Sequence, residues 1–368
     1  MNKVKTLVIQ PYLKKTRNSK ELLLNEAVSL VEAIQLNCVF PSHVGIDSVT
    51  PKTYLKSGYV TYIKQKVIEL NIKLVFINTI LSPIQQRNLE KLTNCKIIDR
   101  TGLILEIFGS RARSNEGKLS VSLASLQFQK SRLVRSWTHL ERQRGGAGFM
   151  GGPGEKQIES DRRQLTERIN RLKKKIAKID KIRNIQRLRR TKNKVPIISL
   201  VGYTNSGKST LFNLITKSSV LSKDMLFASL DSTIRNGYVK GFNFTFIDTV
   251  GFIRDLPTTL IDAFKSTLDE IINSDLILHV RDITDSQYLD HKIEVLKILE
   301  EIGIDKDDKR IIEVINKVDS LDNKFNYHNI INSKSITISA KEGTGIELLK
   351  NRILKCFGGY KLKSILPQ

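Results

Sequence analysis

Gly202-Tyr203-Thr204-Asn205-Ser206-Gly207-Lys208-Ser209 follows the apolar run Ile197-Ile198-Ser199-Leu200-Val201 and precedes Thr210-Leu211-Phe212-Asn213-Leu214-Ile215. Read as loop, strand and helix, these stretches meet the G-x-x-x-x-G-K-[ST] pattern in the setting it needs. Gly202 and Gly207 free the backbone to turn its N–H groups onto a phosphate at the positive end of the coming helix. Lys208 can then place a point charge between β- and γ-phosphates, and the Ser209 hydroxyl can ligate Mg²⁺. A nucleotide-binding α/β domain follows.

Three further signals succeed it in order. Phe244-Thr245-Phe246-Ile247 reads as a strand ending in Asp248-Thr249-Val250-Gly251. There the carboxylate can hold a Mg²⁺ water, and the Gly251 N–H can meet the γ-phosphate. Ile311-Ile312-Glu313-Val314-Ile315 leads into Asn316-Lys317-Val318-Asp319. Asp319 can accept from both N1–H and the 2-amino group of guanine, a donor pair that adenine lacks. Ile336-Thr337-Ile338 then precedes Ser339-Ala340-Lys341, whose backbone can reach the guanine O6. Four motifs at the C-terminal ends of strands obey the site rule for open α/β sheets. They predict GTP and GDP as ligands, with Lys208, Asp248 and Gly251 carrying the chemistry.

The 368 residues have room for two or three domains, and the net charge is +24. Such a surplus favours a polyanionic partner such as RNA. No apolar run reaches the roughly 20 residues of a spanning helix, so at most a peripheral membrane association is expected. Cys38, Cys95 and Cys356 are far apart and form no C-x-x-C pair, which points to a reducing cytoplasm. The five histidines lack metal spacing and are expected to pack or to face solvent.

The charge is concentrated. Between Asp161 and Lys194 stand 15 basic and three acidic residues, a surplus of 12 that is half of the whole. The apolar positions Leu165, Ile169, Leu172, Ile176 and Ile179 in that stretch follow a 4-3-4-3 spacing, the seam of a coiled coil. Upstream, Leu123, Leu126, Leu133, Trp137 and Leu140 form a similar stripe interrupted by Lys130. The two stretches predict an antiparallel hairpin of helices about 25 residues each, roughly 35 to 40 Å long. Its tip would be Gly145 to Gly154, with six glycines in ten residues and the apolar pair Phe149 and Met150. Gly148, Phe149 and Met150 suit a crevice in a large partner; Lys173, Lys174, Lys175, Arg189 and Arg190 suit phosphates.

Residues 1 to 113 alternate strand-like and helix-like runs. Strands are expected at Thr6–Gln10, Cys38–Phe40, Lys73–Ile77 and Lys96–Asp99, with helices near 20–36, 58–70 and 83–93. The expected division is a small α/β domain over 1–113, the hairpin over 114–194, the nucleotide domain over 195–358 and a short tail over 359–368. Thr191 to Lys194 would be the linker, with Pro196 at the start of the next strand.

Several longer stretches are more specific than a phosphate loop. They are Asp99-Arg100-Thr101-Gly102-Leu103-Ile104-Leu105-Glu106-Ile107-Phe108, Arg111-Ala112-Arg113, Glu116-Gly117-Lys118-Leu119, Trp137-Thr138-His139-Leu140-Glu141-Arg142, Gly152-Pro153-Gly154-Glu155 and Asp161-Arg162-Arg163. On these the chain resembles the HflX family of GTPases almost end to end. The resemblance implies an N-terminal nucleotide-binding-like domain, a helical hairpin and a Ras-like P-loop GTPase domain. It also implies action on the 50S ribosomal subunit, splitting or rescuing stalled 70S ribosomes, with the hairpin tip directed at the peptidyl-transferase region of the rRNA.

Where the family's switch I pattern is Phe-Ala-Thr-Leu-Asp, this chain reads Phe227-Ala228-Ser229-Leu230-Asp231. Ser229 therefore stands in place of the Mg²⁺-binding threonine and keeps its hydroxyl without the methyl, with Thr233 as the alternative ligand. A C-terminal extension carried by some members is not expected after the last helix near 346–357. Ras-type enzymes place a glutamine after the third motif, and Phe252 stands there instead, which implies slow turnover until the ribosome reorganises the site. In related GTPases an asparagine at the place of Asn205 coordinates K⁺, though Asn205 can equally shape the loop. The protein is expected to be a cytoplasmic monomer. Two other readings stay open: a GTPase of large-subunit assembly, and an RNA-binding arm with a vestigial nucleotide site.

Replacing Asp319 with Asn turns one acceptor into a donor that faces a donor. GTP affinity is expected to fall by about 3 kcal/mol, with affinity gained for xanthosine nucleotides. Titration with fluorescent nucleotides checks this, and unchanged GTP binding would overturn the assignment.

Overall fold

The computed structural model describes residues 3–13, 20–141, 153–192, 195–218, 226–227, 232–257, 260–261, 264–321 and 335–358. The chain divides into two compact units, Met1–Ser110 with Lys118–Ile176, and Arg111–Gly117 with Ala177–Gln368.

The first unit is built on β1 (Lys5–Leu13), β2 (Asn37–Ile46), β3 (Leu74–Ile77) and β4 (Lys96–Asp99), all parallel in the order β2-β1-β3-β4. Helices α1 (Lys20–Ala33), α2 (Ser57–Glu69) and α3 (Pro83–Thr93) make the crossovers. Leu74 to Ile77 are all buried, as a central parallel strand requires. Leu7, Ile9, Val75 and Ile77 pack with Ile63 and Val67 of α2 and Leu89 of α3. Pro83 opens α3 behind a reciprocal cap between Ser82 and Gln85.

β2 is longer than the three residues expected of it, because its parallel pairing with β1 continues to Ile46. Pro41 does not end it. β2 is the edge strand, where a missing N–H need cost no ladder bond.

β4 ends at Asp99, which is buried. Its Oδ1 accepts from the Gly102 N–H at 2.9 Å and so caps α4 (Arg100–Arg111). Its Oδ2 accepts from Arg132 at 2.6 Å, on α5 (Asn115–Glu141). Burial still raises the carboxyl above its usual pKa, against the pull of Arg132.

Helix α6 (Pro153–Lys192) corrects the expected hairpin. α5 has 27 residues, close to the expectation, but α6 has 40, about 60 Å of helix. Nothing between Glu155 and Lys192 is Gly or Pro, so nothing stops the helix where the heptad stripe fades. Pro153 and Gly154 belong to the helix rather than the tip, and Thr191 and Lys192 belong to it rather than to a linker. The start of α5 meets the far part of α6 through Glu116 and Arg183 at 2.8 Å, the contact an antiparallel pair makes.

The second unit carries β5 (Ile197–Val201), α7 (Lys208–Thr216), β6 (Thr233–Val239), β7 (Phe242–Asp248), α8 (Lys265–Ile272) and β8 (Leu276–Asp282). It continues through α9 (Tyr288–Glu301), β9 (Ile311–Asn316), β10 (Ser335–Thr337) and α10 (Ile346–Cys356). The sheet order is β10-β9-β8-β5-β7-β6, parallel except for β6. Ile198, Leu200, Leu278, Val280 and Val314 pack with Leu211 and Phe212 of α7 and Leu349 and Ile353 of α10. β5 lies between β7 and β8, where the winding reverses, so its outgoing loop opens at the switch point of the sheet. Among the described residues, no helix is long and apolar enough to cross a membrane.

Replacing Asp99 with Ala removes the cap of α4 and leaves Arg132 without its carboxylate. The expected cost is about 3 kcal/mol of stability, read as a lower urea midpoint. An unchanged midpoint would show that the pair contributes nothing net.

Candidate functional site

The loop from Gly202 to Gly207 is shaped by contacts that admit no side chain at its two glycines. Gly207 has φ 90°, and a Cβ there would lie 2.1 Å from Asn316 Nδ2. A Cβ on Gly202 would lie 2.2 Å from the Val280 carbonyl of the neighbouring strand. Asn205 takes φ 62° and is exposed at the turn, a conformation asparagine tolerates well.

Asn316 is the brace of the site. Its Nδ2 donates to the Ser206 carbonyl at 2.9 Å, and its Oδ1 accepts from the Ala340 N–H at 2.9 Å. One amide thus joins the loop after β5 to the loop after β10. The sequence placed Asn316 in the guanine motif but offered no sign of this bridge.

Lys208 is buried, and its ammonium donates to the carbonyls of Gly202 at 3.1 Å and Tyr203 at 2.7 Å. Burial draws its pKa down to about 8, outweighing the attraction of Asp248. Ser209 donates its hydroxyl to Asp248 Oδ2 at 2.6 Å. Burial raises Asp248 above the usual carboxyl pKa, against that hydrogen bond and Lys208. Asp248 Oδ1, Thr204 Oγ1 and Ser206 Oγ are buried with no partner among the described residues. A half-buried hydroxyl and a buried carboxylate in contact, with one carboxylate oxygen to spare, are a hard-oxygen set that fits Mg²⁺.

Thr249 donates its hydroxyl to the Leu200 carbonyl at 2.6 Å, so its side chain serves the strand junction, and Val250 follows half-buried. A Cβ on Gly251 would lie 2.9 Å from the Thr204 Cα and 3.2 Å from Lys208 Nζ, so the third motif lies directly against the phosphate loop. Phe252 is buried and cannot hold a water by its ring; its N–H donates to the Gly202 carbonyl at 3.0 Å.

In the base region, Lys317 turns at φ 66° and its ammonium pairs with Asp282 Oδ2 at 2.6 Å. Asp282 was missed by the sequence reading, although a carboxylate at the C-terminal end of the strand next to β5 was a usable signal. Val318 and Asp319 form a short 3₁₀ turn with Ser320. The Ser339 side chain, followed by smaller effects that include Ser320, holds the Asp319 carboxyl below its usual pKa. Ser339 and Ala340 are buried and Lys341 is exposed beside them.

The structure therefore brings together the expected residues from β5, β7, β9 and β10. Phe227 is buried, but Ala228, Ser229, Leu230 and Asp231 lie outside the described residues. The alternative ligand Thr233 starts β6 directly opposite Asp248 in the ladder. On α6, Lys173, Lys174 and Lys175 are exposed, with Ile169 buried and its stripe neighbours half-buried. The side chains of Arg189 and Arg190, and Gly148, Phe149 and Met150 altogether, lie outside the described residues, as do Trp137 and Leu140 as side chains. No metal-holding cluster of His, Cys, Asp and Glu occurs among the described residues.

Three family profiles match the chain: "GTP-binding GTPase N-terminal" over residues 21–109, "GTP-binding GTPase Middle Region" over 111–190 and "50S ribosome-binding GTPase" over 197–317. The GTPase HflX of Magnetococcus marinus is 44% identical over 358 residues, covering 96% of this chain and 82% of its own. That of Escherichia coli is 44% identical over 313 residues, covering 84% of this chain and 73% of its own. The crystal structure of SsGBP in complex with GDP is 26% identical, covers 98% of this chain and 100% of its own, and has a TM-score of 0.51.

A triphosphate beside Lys208 should restore its charge. Near pH 8, binding of GTP is expected to take up about half a proton, and Lys208→Met to abolish the uptake. Calorimetry in two buffers of different ionisation enthalpy reads it directly, and equal heats in both would exclude it.

Proposed function

The chain belongs to the HflX family of GTPases, and on that premise we propose that it hydrolyses GTP on the large ribosomal subunit to split or rescue stalled 70S particles. The observation that carries the reading is α6, a 40-residue helix that carries nearly all of the most basic stretch of the chain, with Lys173, Lys174 and Lys175 exposed along it. A row of cations on a long helix fits a phosphate backbone.

The chemistry is assigned to the four loops. Backbone N–H groups of Gly202 to Ser209 cradle the phosphates, and Lys208 neutralises charge between the β and γ positions. Ser209, with Ser229 or Thr233, would hold Mg²⁺, and Asp248 would hold one of its waters; the ion supplies charge neutralisation at the phosphates. The Gly251 N–H senses the γ-phosphate. Asp319 reads the guanine edge, while Ser339, Ala340 and Lys341 border O6. Asn205 is the candidate contact for K⁺. Phe252 leaves the attacking water unpositioned, so the free protein turns over slowly and the ribosome supplies the missing order.

The hairpin has two roles. Its second helix, through Lys173, Lys174, Lys175, Arg189 and Arg190, anchors to rRNA phosphates. Its tip at Gly148, Phe149 and Met150 enters a crevice of the subunit and drives separation.

GTP turnover is expected to rise at least about tenfold with 50S particles, and less with 30S. Neutralising Lys173, Lys174 and Lys175 should flatten the salt dependence of ribosome binding by nearly one log–log unit for each phosphate no longer neutralised. Shortening Gly148 to Gly152 should leave GTP binding intact and abolish splitting of 70S particles in sedimentation profiles. Fast turnover without particles, or normal splitting by the shortened protein, would overturn the respective part. Stimulation by 50S without splitting would favour a part in subunit assembly.

A further inference from the structure

Tyr203 sits inside the phosphate loop, yet its side chain is engaged elsewhere. Its ring stacks on His291 of α9 with centroids 3.6 Å apart and planes 8° from parallel. His291 is itself held, its Nδ1 lying 3.2 Å from Asp285 Oδ2. Asp285 in turn is fixed by the N–H of Gln287, which donates to Oδ1 at 2.8 Å just ahead of α9. At the other end, the Tyr203 hydroxyl accepts from the backbone N–H of Arg254 at 3.0 Å.

That last bond reaches the segment that follows the third motif. Thr204 donates its N–H to the Phe252 carbonyl at 2.8 Å and Phe252 donates to Gly202, so the segment is pinned to the loop on both sides of Tyr203. Gly251 is thus fixed by backbone bonds at Phe252 and by a side-chain bond at Arg254. No glutamine follows Gly251 to place a water. The position of this backbone is then one of the things that order the γ-phosphate side, and one of its supports is a tyrosine clamped by a histidine. A displacement of about 1 Å in such a support is enough to change rates strongly.

We infer that His291, oriented by Asp285, is a positioning residue for GTP hydrolysis: through the stacked ring of Tyr203 it holds the backbone from Gly251 to Arg254 in place. The inference rests on the assignment of the loop from Gly202 to Ser209 to GTP. His291 touches no reacting atom in this scheme and acts through Tyr203 alone. Its effect belongs to the chemical step rather than to nucleotide affinity, which the loop backbone and Asp319 supply.

The test uses the full-length protein and four variants, Tyr203→Phe, His291→Ala, His291→Phe and the double variant Tyr203→Phe/His291→Ala. Tyr203→Phe keeps the stack and removes only the hydroxyl, so it tests the link without disturbing the packing. For Tyr203→Phe and His291→Ala, kcat for GTP is expected to fall at least about fivefold, with KM within about twofold of the parent. The double variant should be no worse than His291→Ala, because both substitutions break one chain of contacts. His291→Phe, which can still stack, should lie between the parent and His291→Ala. Trypsin should cut after Arg254 faster in Tyr203→Phe and His291→Ala than in the parent, reporting the loosened backbone. Parental kcat and parental cleavage in Tyr203→Phe would overturn the inference while leaving the GTP site standing. Additive losses in the double variant would overturn it as well. Failure of the parent protein to bind fluorescent GDP would overturn the site assignment itself.

Discussion

The amide of Asn316 is the interaction on which the candidate site depends. It spans from the Ser206 carbonyl to the Ala340 N–H, partners 110 and 24 residues away in the chain. Both bonds are buried, so losing either would leave a backbone group unsatisfied. The same side chain occupies the space where a Cβ of residue 207 would stand, so glycine is required there for steric reasons besides its φ of 90°. The loop after β5, the turn after β9 and the loop after β10 are thereby set at one distance. Phosphate and base ends of a nucleotide can be measured against each other only if those loops share a brace.

Around this brace the unit tolerates a good deal of buried charge. Lys208 and Asp248 are both buried near the switch point, and burial shifts each toward its neutral form. On the neighbouring strands, Arg281 pairs with Glu313 at 2.8 Å, and Lys292 of α9 pairs with the same carboxylate. His279, opposite Glu313 in the ladder, is buried with its pKa drawn down to about 3, first by burial and then by Arg281. It therefore stays neutral and packs, which agrees with the expectation for the histidines. The two clusters differ in sign. Among Arg281, Glu313 and Lys292 the buried atoms left without a partner among the described residues are donors, Arg281 Nε and Nη2, whereas at Asp248 the atom left over is a carboxylate oxygen. A buried carboxylate with an acceptor oxygen still open is where a cation can gain most.

The first unit is simpler in its chemistry and shares one device with the second. Asp99, like Asp248, ends a parallel strand and is buried, but it is fully engaged by Gly102, Leu81 and Arg132. An engaged carboxylate of this sort supports architecture: it caps α4 and anchors α5. The contrast between two strand-end aspartates separates a structural role from a candidate functional one without reference to any relative.

What the sequence determined by itself is what short-range physics encodes. The span of β5, the extents of α3 and β4, and the four loops at strand ends follow from apolar runs, caps and glycine placement within a few residues of each position. The length of α6 was also written locally, in the absence of Gly and Pro after Gly154, and the heptad stripe alone underestimated it. The tertiary structure decided the rest. That Asn316 braces two loops, that Asp282 holds Lys317, and that His291 clamps Tyr203 depend on which strands lie side by side in the order β10-β9-β8-β5-β7-β6. Side-chain partners across parallel strands and their crossover helices are set by sheet order, and no local period in a chain records that order.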